Sequence, residues 1–170
     1  MNLIVTCARN LEGEAEEEII DILDELGDPD VKISVSNMSG IITVQTKLDP
    51  IEVVRKMKEI LLDEPWSIRY CLRVIPIQKI VETNLEKIKE CISSISDKIE
   101  DNESYRILIE KRNSDISSKE IITKIANKIK NKVSLDFPDK IILIEILGIV
   151  TGISLIKKSD ILSLEKTKRS

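Results

Sequence analysis

The fold is decided by residues 105–156, which read YRILIEKRNSDISSKEIITKIANKIKNKVSLDFPDKIILIEILGIVTGISLI. An apolar run ends in Lys111-Arg112, a lysine-rich stretch with helical spacing follows, and two further apolar runs close the segment. This order of strand, helix, strand and strand predicts a layered α/β unit. We expect one edge of that unit to be basic.

The helix expected in this segment extends from about Ser117 to Lys132. Asp115 and Glu120 are the only acids near its cations, so two interpretations remain open: the solvated face of an amphipathic helix, or a surface that binds phosphate. Its apolar residues at helical spacing are Ile121, Ile122, Ile125, Ala126 and Ile129, and its cations are Lys119, Lys124, Lys128, Lys130 and Lys132.

The two apolar runs after this helix predict neighbouring strands. Residues 141–147 are almost continuously apolar, which is typical of a strand in a sheet that is covered on both faces. Residues 153–156 are expected to form the partner strand, with Gly148 and Gly152 on either side of the turn. We expect the remaining residues, 159–170, to form a flexible tail.

Residues 1–82 predict a ferredoxin-like domain with the order βαββαβ. Gly27 is placed to end the first helix, and Asp49-Pro50 is placed to begin the second. A second unit is expected at 83–158. The predicted elements of the first domain are a strand at 2–7, a helix at 11–26, a hairpin of strands at 31–35 and 41–46, a helix from 49, and a closing strand at 68–81.

Charge is distributed unevenly along the chain. Residues 1–66 carry 6 Lys/Arg against 15 Asp/Glu, a net charge of -9, whereas residues 67–170 carry 20 against 15, a net charge of +5. Distant charges are screened beyond about 8 Å in physiological salt, so a phosphate responds to the local patch. The formal net charge of -4 therefore does not exclude RNA as a partner.

The composition argues against several kinds of enzyme. The chain has no histidine, so zinc sites of the common types and Ser-His or Cys-His nucleophiles are not expected. Its 3 cysteines form no CxxC pair, which argues against a disulfide framework. No GxxxxGK[ST] or GxGxxG motif is present, and we expect no metal and no cofactor.

Aromatic residues make up only 2% of the sequence, so surfaces for stacking bases are scarce. Trp66 could stack on a base, but a lone tryptophan after a helix more often fills a core or a seam between domains. The chain has no signal peptide and no apolar run long enough to span a bilayer, and we expect a cytoplasmic protein.

Lys111-Arg112 lies at a strand end and is followed by a loop that leads into a helix. Such an arrangement can present guanidinium, ammonium and free backbone N–H groups to one phosphate. By itself this pattern is a weak indication of phosphate binding. The sequence on either side of it is more specific.

That sequence resembles the THUMP domain, an RNA-binding module of tRNA thiouridine synthases, RNA methyltransferases and pseudouridine synthases. The resemblance lies in the strand end IEKR (109–112) and in the pattern V-x-L-D-x-P-D-K-x-I-x-x-E-I (133–146). The preceding segment, ending in RYCLRVIPIQ (69–78), is similar to the ferredoxin-like domain found before THUMP in those proteins. THUMP enzymes continue into a catalytic domain, whereas this sequence ends.

The chain therefore looks most like the stand-alone adaptors that help a separate acetyltransferase make N4-acetylcytidine in tRNA. This resemblance implies no catalysis by the chain itself, tRNA as ligand, and contacts to the acceptor stem and 3′ end. It suggests Lys111 and Arg112 at the phosphates of the acceptor end, and Lys119 and Lys124 on the helix lining the same groove. Arg73 and Lys79 are expected on the ferredoxin-like side of a cleft.

Two other functions remain open at this stage. The chain could be the RNA-binding subunit of a split thiouridine synthase or methyltransferase. A function of another class is a ferredoxin-like regulatory or dimerisation module that binds a small ligand. The oligomeric state is not predicted by the sequence.

Overall fold

The computed structural model describes residues 1–35 and 38–168, and it has a mixed α/β architecture with two sheets. The chain divides into two compact units. The first unit consists of residues 1–77 and 159–170, and the second of residues 78–158. The boundary thus lies after Ile77 and not after residue 82, where the sequence placed it.

The first unit contains the predicted order of elements. Its sheet has the strand order β2-β3-β1-β4, with a short fifth strand beyond β4 that comes from the C-terminal part of the chain, and every neighbouring pair is antiparallel. The helices α1 and α2 bury Ile19, Leu23 and Met57 in the core beneath this sheet. The elements are β1 (Leu3–Thr6), α1 (Glu12–Leu26), β2 (Lys32–Val35), β3 (Ile41–Gln45), α2 (Pro50–Asp63) and β4 (Arg73–Pro76).

Local signals fix the ends of these helices where the sequence indicated. Gly27 adopts φ 114° at the end of α1, a left-handed conformation that glycine adopts without steric cost. At the start of α2 the Asp49 carboxylate accepts hydrogen bonds from the N–H groups of Ile51 and Glu52. Pro50 occupies the first helical turn, where its missing N–H is harmless. The hairpin of β2 and β3 forms as predicted, although residues 36–37 of its turn lie outside the described residues.

The second unit has the strand order β5-β8-β7-β6, in which β6 and β7 are parallel and the other pairs antiparallel. Ile88 of α3 and Ile121 of α4 are buried against Ile142 and Ile144 of the sheet. Both helices therefore cover the same face. The elements are β5 (Lys79–Glu82), α3 (Leu85–Ser96), β6 (Tyr105–Arg112), α4 (Ser118–Ala126), β7 (Lys140–Leu147) and β8 (Val150–Ile156).

The closing strand predicted at 68–81 is wrong, because this stretch contains two strands in different sheets. β4 pairs with β1, whereas β5 pairs with β8. The change occurs between two successive backbone N–H groups: Ile77 donates to Asn2 in the first unit, and Gln78 donates to Ile153 in the second. Lys79 consequently belongs to the second unit and not to the first, where the sequence analysis placed it.

The helix predicted at 117–132 ends earlier, at Ala126. After Ala126 the chain packs against the start of β6, where the N–H of Tyr105 donates to the carbonyl of Lys132. The Asn131 amide also donates to the carbonyls of Glu100 and Glu103. These bonds replace the last helical turn, so Lys128, Lys130 and Lys132 are not helical.

The tail expected at 159–170 is also wrong for its described part. Residues Leu162–Ser163 form a short strand, β9, that pairs antiparallel with β4. A short helix, α5 (Leu164–Lys168), follows, and Leu162 is completely buried in the first core. Elsewhere, Trp66 is 65% exposed and so does not fill a core. Within the described residues, none of the helices has the length and apolarity required to cross a bilayer.

Candidate nucleic-acid interface

The two cations at the end of β6, Lys111 and Arg112, lie on opposite faces of the sheet. Successive residues of a strand alternate between faces, so Lys111 lies on the side of α3 and α4 and Arg112 on the other side. The contacts agree with this alternation. The Lys111 ammonium donates to the carbonyl of Ile116, 3.0 Å away, in the loop that leads to α4.

Arg112 has a structural role that the sequence did not predict. Its guanidinium lies 3.8 Å from the carboxylate of Glu145, which is completely buried on the neighbouring strand β7. A buried carboxylate requires compensation by cations or hydrogen-bond donors. The Arg112 side chain remains 34% exposed, so it can contact solvent while it faces Glu145.

The loop between β6 and α4 is held by local polar contacts. Asn113 adopts φ 55°, a turn conformation that asparagine tolerates, and the Ser117 hydroxyl accepts the N–H of Glu120 to cap α4. A shallow concavity lies along the first turns of this helix. It is lined by Ser117, Lys119, Glu120, Thr123 and Lys124.

Lys119 and Lys124 both project from α4 into solvent, but their surroundings differ. Lys124 lies 3.7 Å from Glu86 of α3, so its charge is partly neutralised. Lys119 is exposed and forms no ion pair among residues 1–35 and 38–168. The structure therefore brings together Lys111, Lys119 and Lys124 on the helical side of the second unit.

Lys89 is a residue that the sequence analysis missed. A hydrogen bond that the neutral Lys128 amine can accept from Lys89, together with repulsion from the like charge, lowers the pKa of Lys128 from its ordinary value. The two side chains come from α3 and from the turn after α4 and line one crevice, and the Glu86 carboxylate lies 3.7 Å from Lys89. An anion placed between them would relieve this repulsion. The helical periodicity of α3 was the available signal, since it places Lys89 beside the apolar positions Ile88 and Ile92.

Lys79 does not join this group, and Arg73 belongs to the first unit. Lys79 is the first residue of β5, at the edge of the sheet farthest from β6. Three strand spacings separate the two edge strands, which amounts to about 14 Å. Arg73 begins β4 in the first unit and is half-buried there.

The large concavity of the first unit has the wrong sign for phosphate. Its charged lining consists of carboxylates from α1 and from the end of α2. Glu18 is engaged, because it accepts the backbone N–H groups of residues 69–71. These carboxylates are Glu14, Glu17, Glu18, Asp21, Glu25 and Glu64.

Neither a metal site nor a reactive thiol is evident in the part of the chain that the structure describes. No group of three or more His, Cys, Asp or Glu side chains is placed there to hold a metal ion. Burial raises the pKa of the Cys71 thiol above its ordinary value, and burial likewise raises the pKa of Cys91. Raised thiol pKa values disfavour the nucleophilic thiolate.

Comparison with known proteins identifies a THUMP domain at residues 82–156, which confirms the resemblance for that part of the chain. A THUMP domain implies RNA binding. The match includes β6, α4 and β7, and with them Lys111, Lys119 and Lys124. No curated protein matches this chain by sequence.

Solved structures with a similar fold include three larger proteins. PH1313 from Pyrococcus horikoshii Ot3 has 20% identity and a TM-score of 0.60, with 92% of this chain and 55% of that chain covered. TrmN from Thermus thermophilus has 13% identity and a TM-score of 0.61, with coverages of 90% and 44%. A possible methylase from Clostridium difficile 630 has 19% identity and a TM-score of 0.54, with coverages of 91% and 40%.

These similarities establish the fold of the chain. This chain spans 40% to 55% of the length of the three solved proteins.

Proposed function

We propose that this chain is a non-catalytic tRNA-binding adaptor. It binds the acceptor stem and 3′ end of tRNA and presents the tRNA to a separate modification enzyme, the N4-acetylcytidine acetyltransferase. The observation that carries this proposal is the THUMP domain at residues 82–156, whose segment 111–132 has seven cations against two acids. Because the chain positions its ligand, its contribution to the reaction is orientation.

Lys111, Lys119 and Lys124 are the residues best arranged for phosphate contacts. They lie on the helical side of the second unit, with Lys111 and Lys119 near the N-terminus of α4, where the helix dipole also favours an anion, and Lys124 in the last turn of the helix. Phosphate contacts provide affinity and register but little choice of sequence. Selection of tRNA would therefore depend on the shape of its end.

The first unit supports the adaptor assignment through its topology. Its βαββαβ order and the strand order β2-β3-β1-β4 within its sheet support the ferredoxin-like assignment of this unit. We assign this domain the role of a companion to THUMP in tRNA binding, with Arg73 as its candidate contact. Arg112 and Lys79 remain candidates on the second unit, although Arg112 also faces Glu145.

The absence of catalysis in this chain is part of the proposal. Its support is chemical: the sequence has no histidine, and burial raises the pKa of the thiol of Cys71. A cytoplasmic location fits a protein that acts on tRNA.

The test of RNA binding is the salt dependence of affinity for labelled tRNA. Each lost phosphate contact should lower the slope of log K against log salt by about 0.9 or less. We expect this reduction for Lys111→Ala, Lys119→Ala and Lys124→Ala. Lys56→Ala is the matched control, since Lys56 is an exposed helical lysine of the first unit.

An unchanged slope in the triple variant would contradict the site assignment. A wild-type protein that binds no tRNA, but that gains thermal stability with a small metabolite, would instead indicate the regulatory ligand-binding module. Arg112 is left out of this series because its substitution also affects a buried carboxylate.

The identity of the partner is tested by purification of the chain from its own cells, with identification of the bound proteins and RNA. Recovery of an acetyltransferase together with tRNA is the expected result. Recovery of tRNA with a different modification enzyme and no acetyltransferase would contradict this partner.

A second candidate is the RNA-binding subunit of a split methyltransferase or thiouridine synthase. It is favoured by one observation, namely that a possible methylase contains this fold within 40% of its own length. Recovery of a methyltransferase or thiouridine synthase chain in the same purification would support this candidate.

A further inference from the structure

The segment between α4 and β7 is an ordered surface loop that lies along the open edge of β6. Its backbone is held at several points: Tyr105 exchanges hydrogen bonds with Lys132 and Ser134, and the Arg106 guanidinium donates to the carbonyl of Leu135 at 3.0 Å. The N–H of Phe137 donates to the Ser134 hydroxyl. These bonds fix the loop without using its apolar side chains.

Those apolar side chains face solvent. Val133 is 51% exposed, Leu135 is 64% exposed and Phe137 is 88% exposed. A folded domain gains free energy by burying such groups, at about 25 cal/mol per Å² of apolar surface. This loop is fixed by hydrogen bonds and still exposes a phenylalanine, as is typical of a binding surface.

The charge around this loop indicates the kind of ligand. Lys130 and Lys132 are exposed and make no ion pair within the described residues, and Arg106 uses one of its donors on the loop backbone. Two acids, Asp136 and Asp139, are also present, but Asp139 is engaged by the N–H and hydroxyl of Ser104. An exposed aromatic ring on the same loop as exposed ammonium groups suits an unpaired nucleotide, which has an apolar base and an anionic phosphate.

The loop also belongs to the part of the chain for which RNA binding is implied, since the THUMP match includes residues 130–140. Within this unit Phe137 is the exposed aromatic residue, because Tyr105 is only 1% exposed. A base can stack only on an accessible ring.

We propose that Phe137, assisted by Leu135 and by Lys130 and Lys132, is a stacking site for unpaired bases of the bound RNA. This inference rests on the proposed RNA-binding function and adds to it a site for single-stranded nucleotides. The site lies at the opposite end of β6 from Lys111. Seven residue steps along the strand separate the two ends by about 23 Å.

The direction of the chain connects the two sites. Because β6 and β7 are parallel, α4 must return from the end of β6 to the beginning of β7. Lys119 and Lys124 therefore lie between Lys111 and the Phe137 loop. An RNA strand that runs along α4 from the end of β6 would contact Lys111, Lys119 and Lys124 before it reached the ring of Phe137.

The test compares wild-type protein with Phe137→Ala on three labelled probes. These are complete tRNA, the same tRNA without its unpaired 3′ nucleotides, and a blunt RNA duplex. Ile149→Ala is the matched control, since Ile149 is an 82% exposed apolar residue in the turn between β7 and β8. Phe137→Trp should preserve affinity, because its ring can also stack.

Phe137→Ala should bind complete tRNA about 10-fold more weakly, as is typical for loss of one stacked base, and should bind the duplex as the wild type does. Its slope against salt should not change, because stacking releases no counterions. Equal affinity of wild type and Phe137→Ala for complete tRNA, or an equal loss on the duplex, would overturn the stacking site.

The trimmed tRNA identifies the source of the bases. A loss that disappears on trimming assigns the 3′ end, and a loss that persists assigns unpaired bases elsewhere in the tRNA; both results support stacking. Quenching of Phe137→Trp fluorescence by single-stranded RNA, in a Trp66→Phe background, reports the contact directly. If the wild type binds no tRNA at all, the proposed function fails, which is distinguishable from failure of Phe137 alone.

Discussion

Arg112→Ala should destabilise the second unit, and this prediction separates a structural role of Arg112 from its RNA-binding candidacy. The substitution removes a guanidinium 3.8 Å from a carboxylate that is completely buried in β7. Glu145 would then have to lose its charge, admit water or depend on its remaining contacts. Each of these outcomes lowers the free energy of unfolding.

The magnitude follows from the distance and from the burial of the two groups. Unit charges about 4 Å apart attract each other by about 4 kcal/mol at an effective dielectric constant of 20. The Arg112 side chain is 34% exposed, so solvent screens part of this attraction. Breaking a fully buried pair costs about 3–5 kcal/mol and an exposed pair at most about 1, so we expect a loss of about 2 kcal/mol.

Hydrogen exchange of peptides from β6 and β7 is the appropriate assay. It reports the stability of this unit separately, whereas the fluorescence of Trp66 reports the other unit. A double-mutant cycle of Arg112→Ala with Glu145→Gln should give a coupling of about 1–2 kcal/mol. Lys111→Ala is the control, since Lys111 is an exposed cation at the same strand end whose ammonium donates to the backbone carbonyl of Ile116.

The reasoning is refuted if Arg112→Ala exchanges at the wild-type rate, or if the two substitutions are additive. Either result would leave Arg112 available as a phosphate ligand with no part in stability. A protein that is destabilised and also loses tRNA affinity would require Arg112→Lys, which retains the charge, to separate the two effects.

Two further predictions concern the first unit. Gly40→Ala should lower the free energy of unfolding by about 2–4 kcal/mol, because Gly40 has φ 75° and a Cβ there would lie 2.7 Å from the carbonyl oxygen of Cys7. Urea unfolding followed by circular dichroism measures this loss of stability. Gly13→Ala is the control, because nothing lies within 4 Å of its added Cβ. Equal stabilities of the two variants would contradict the steric argument. The hydroxyl of Thr46 donates to the Asp28 carboxylate and lowers the pKa of Asp28. The ionised Asp28 carboxylate therefore stabilises the folded state at neutral pH, and this stabilisation is lost as the pH falls below about 4 and through the lowered pKa. The difference in unfolding free energy between wild type and Asp28→Asn should therefore shrink on acidification, and a difference independent of pH would contradict this.

Much of the fold was predictable because its signals are local. Gly27 ends α1 and Asp49-Pro50 begins α2, since caps depend only on neighbouring backbone groups. The division of residues 68–81 was not predictable in this way. β4 and β5 have the same apolar character, and only their hydrogen-bond partners place them in different sheets.

The early end of α4 has the same kind of cause. Helical spacing continues to Ile129, but Tyr105 and Asn131 provide tertiary hydrogen bonds that the sequence pattern does not contain. Tertiary contacts routinely override local propensity in this way.

Within the candidate site, the residue types were predictable and their directions only partly so. Strand alternation alone assigns Lys111 and Arg112 to opposite faces, and the acidic residue inside the apolar run IILIEIL was a sign that a cation would be needed nearby. The exposure of Phe137 had no such sign, because V-x-L-D-F-P reads equally well as a buried turn.

The acidic composition of the chain is compatible with RNA binding because the charges are segregated. The first unit holds 17 acids and 11 cations, and the second holds 13 acids and 15 cations. A phosphate at contact range responds mainly to charges within about 8 Å, so the local excess of cations in the second unit matters more for an RNA bound there than the net charge of the chain. The same segregation favours one mode of binding, in which the RNA backbone follows the cations of α4 towards the aromatic ring of Phe137.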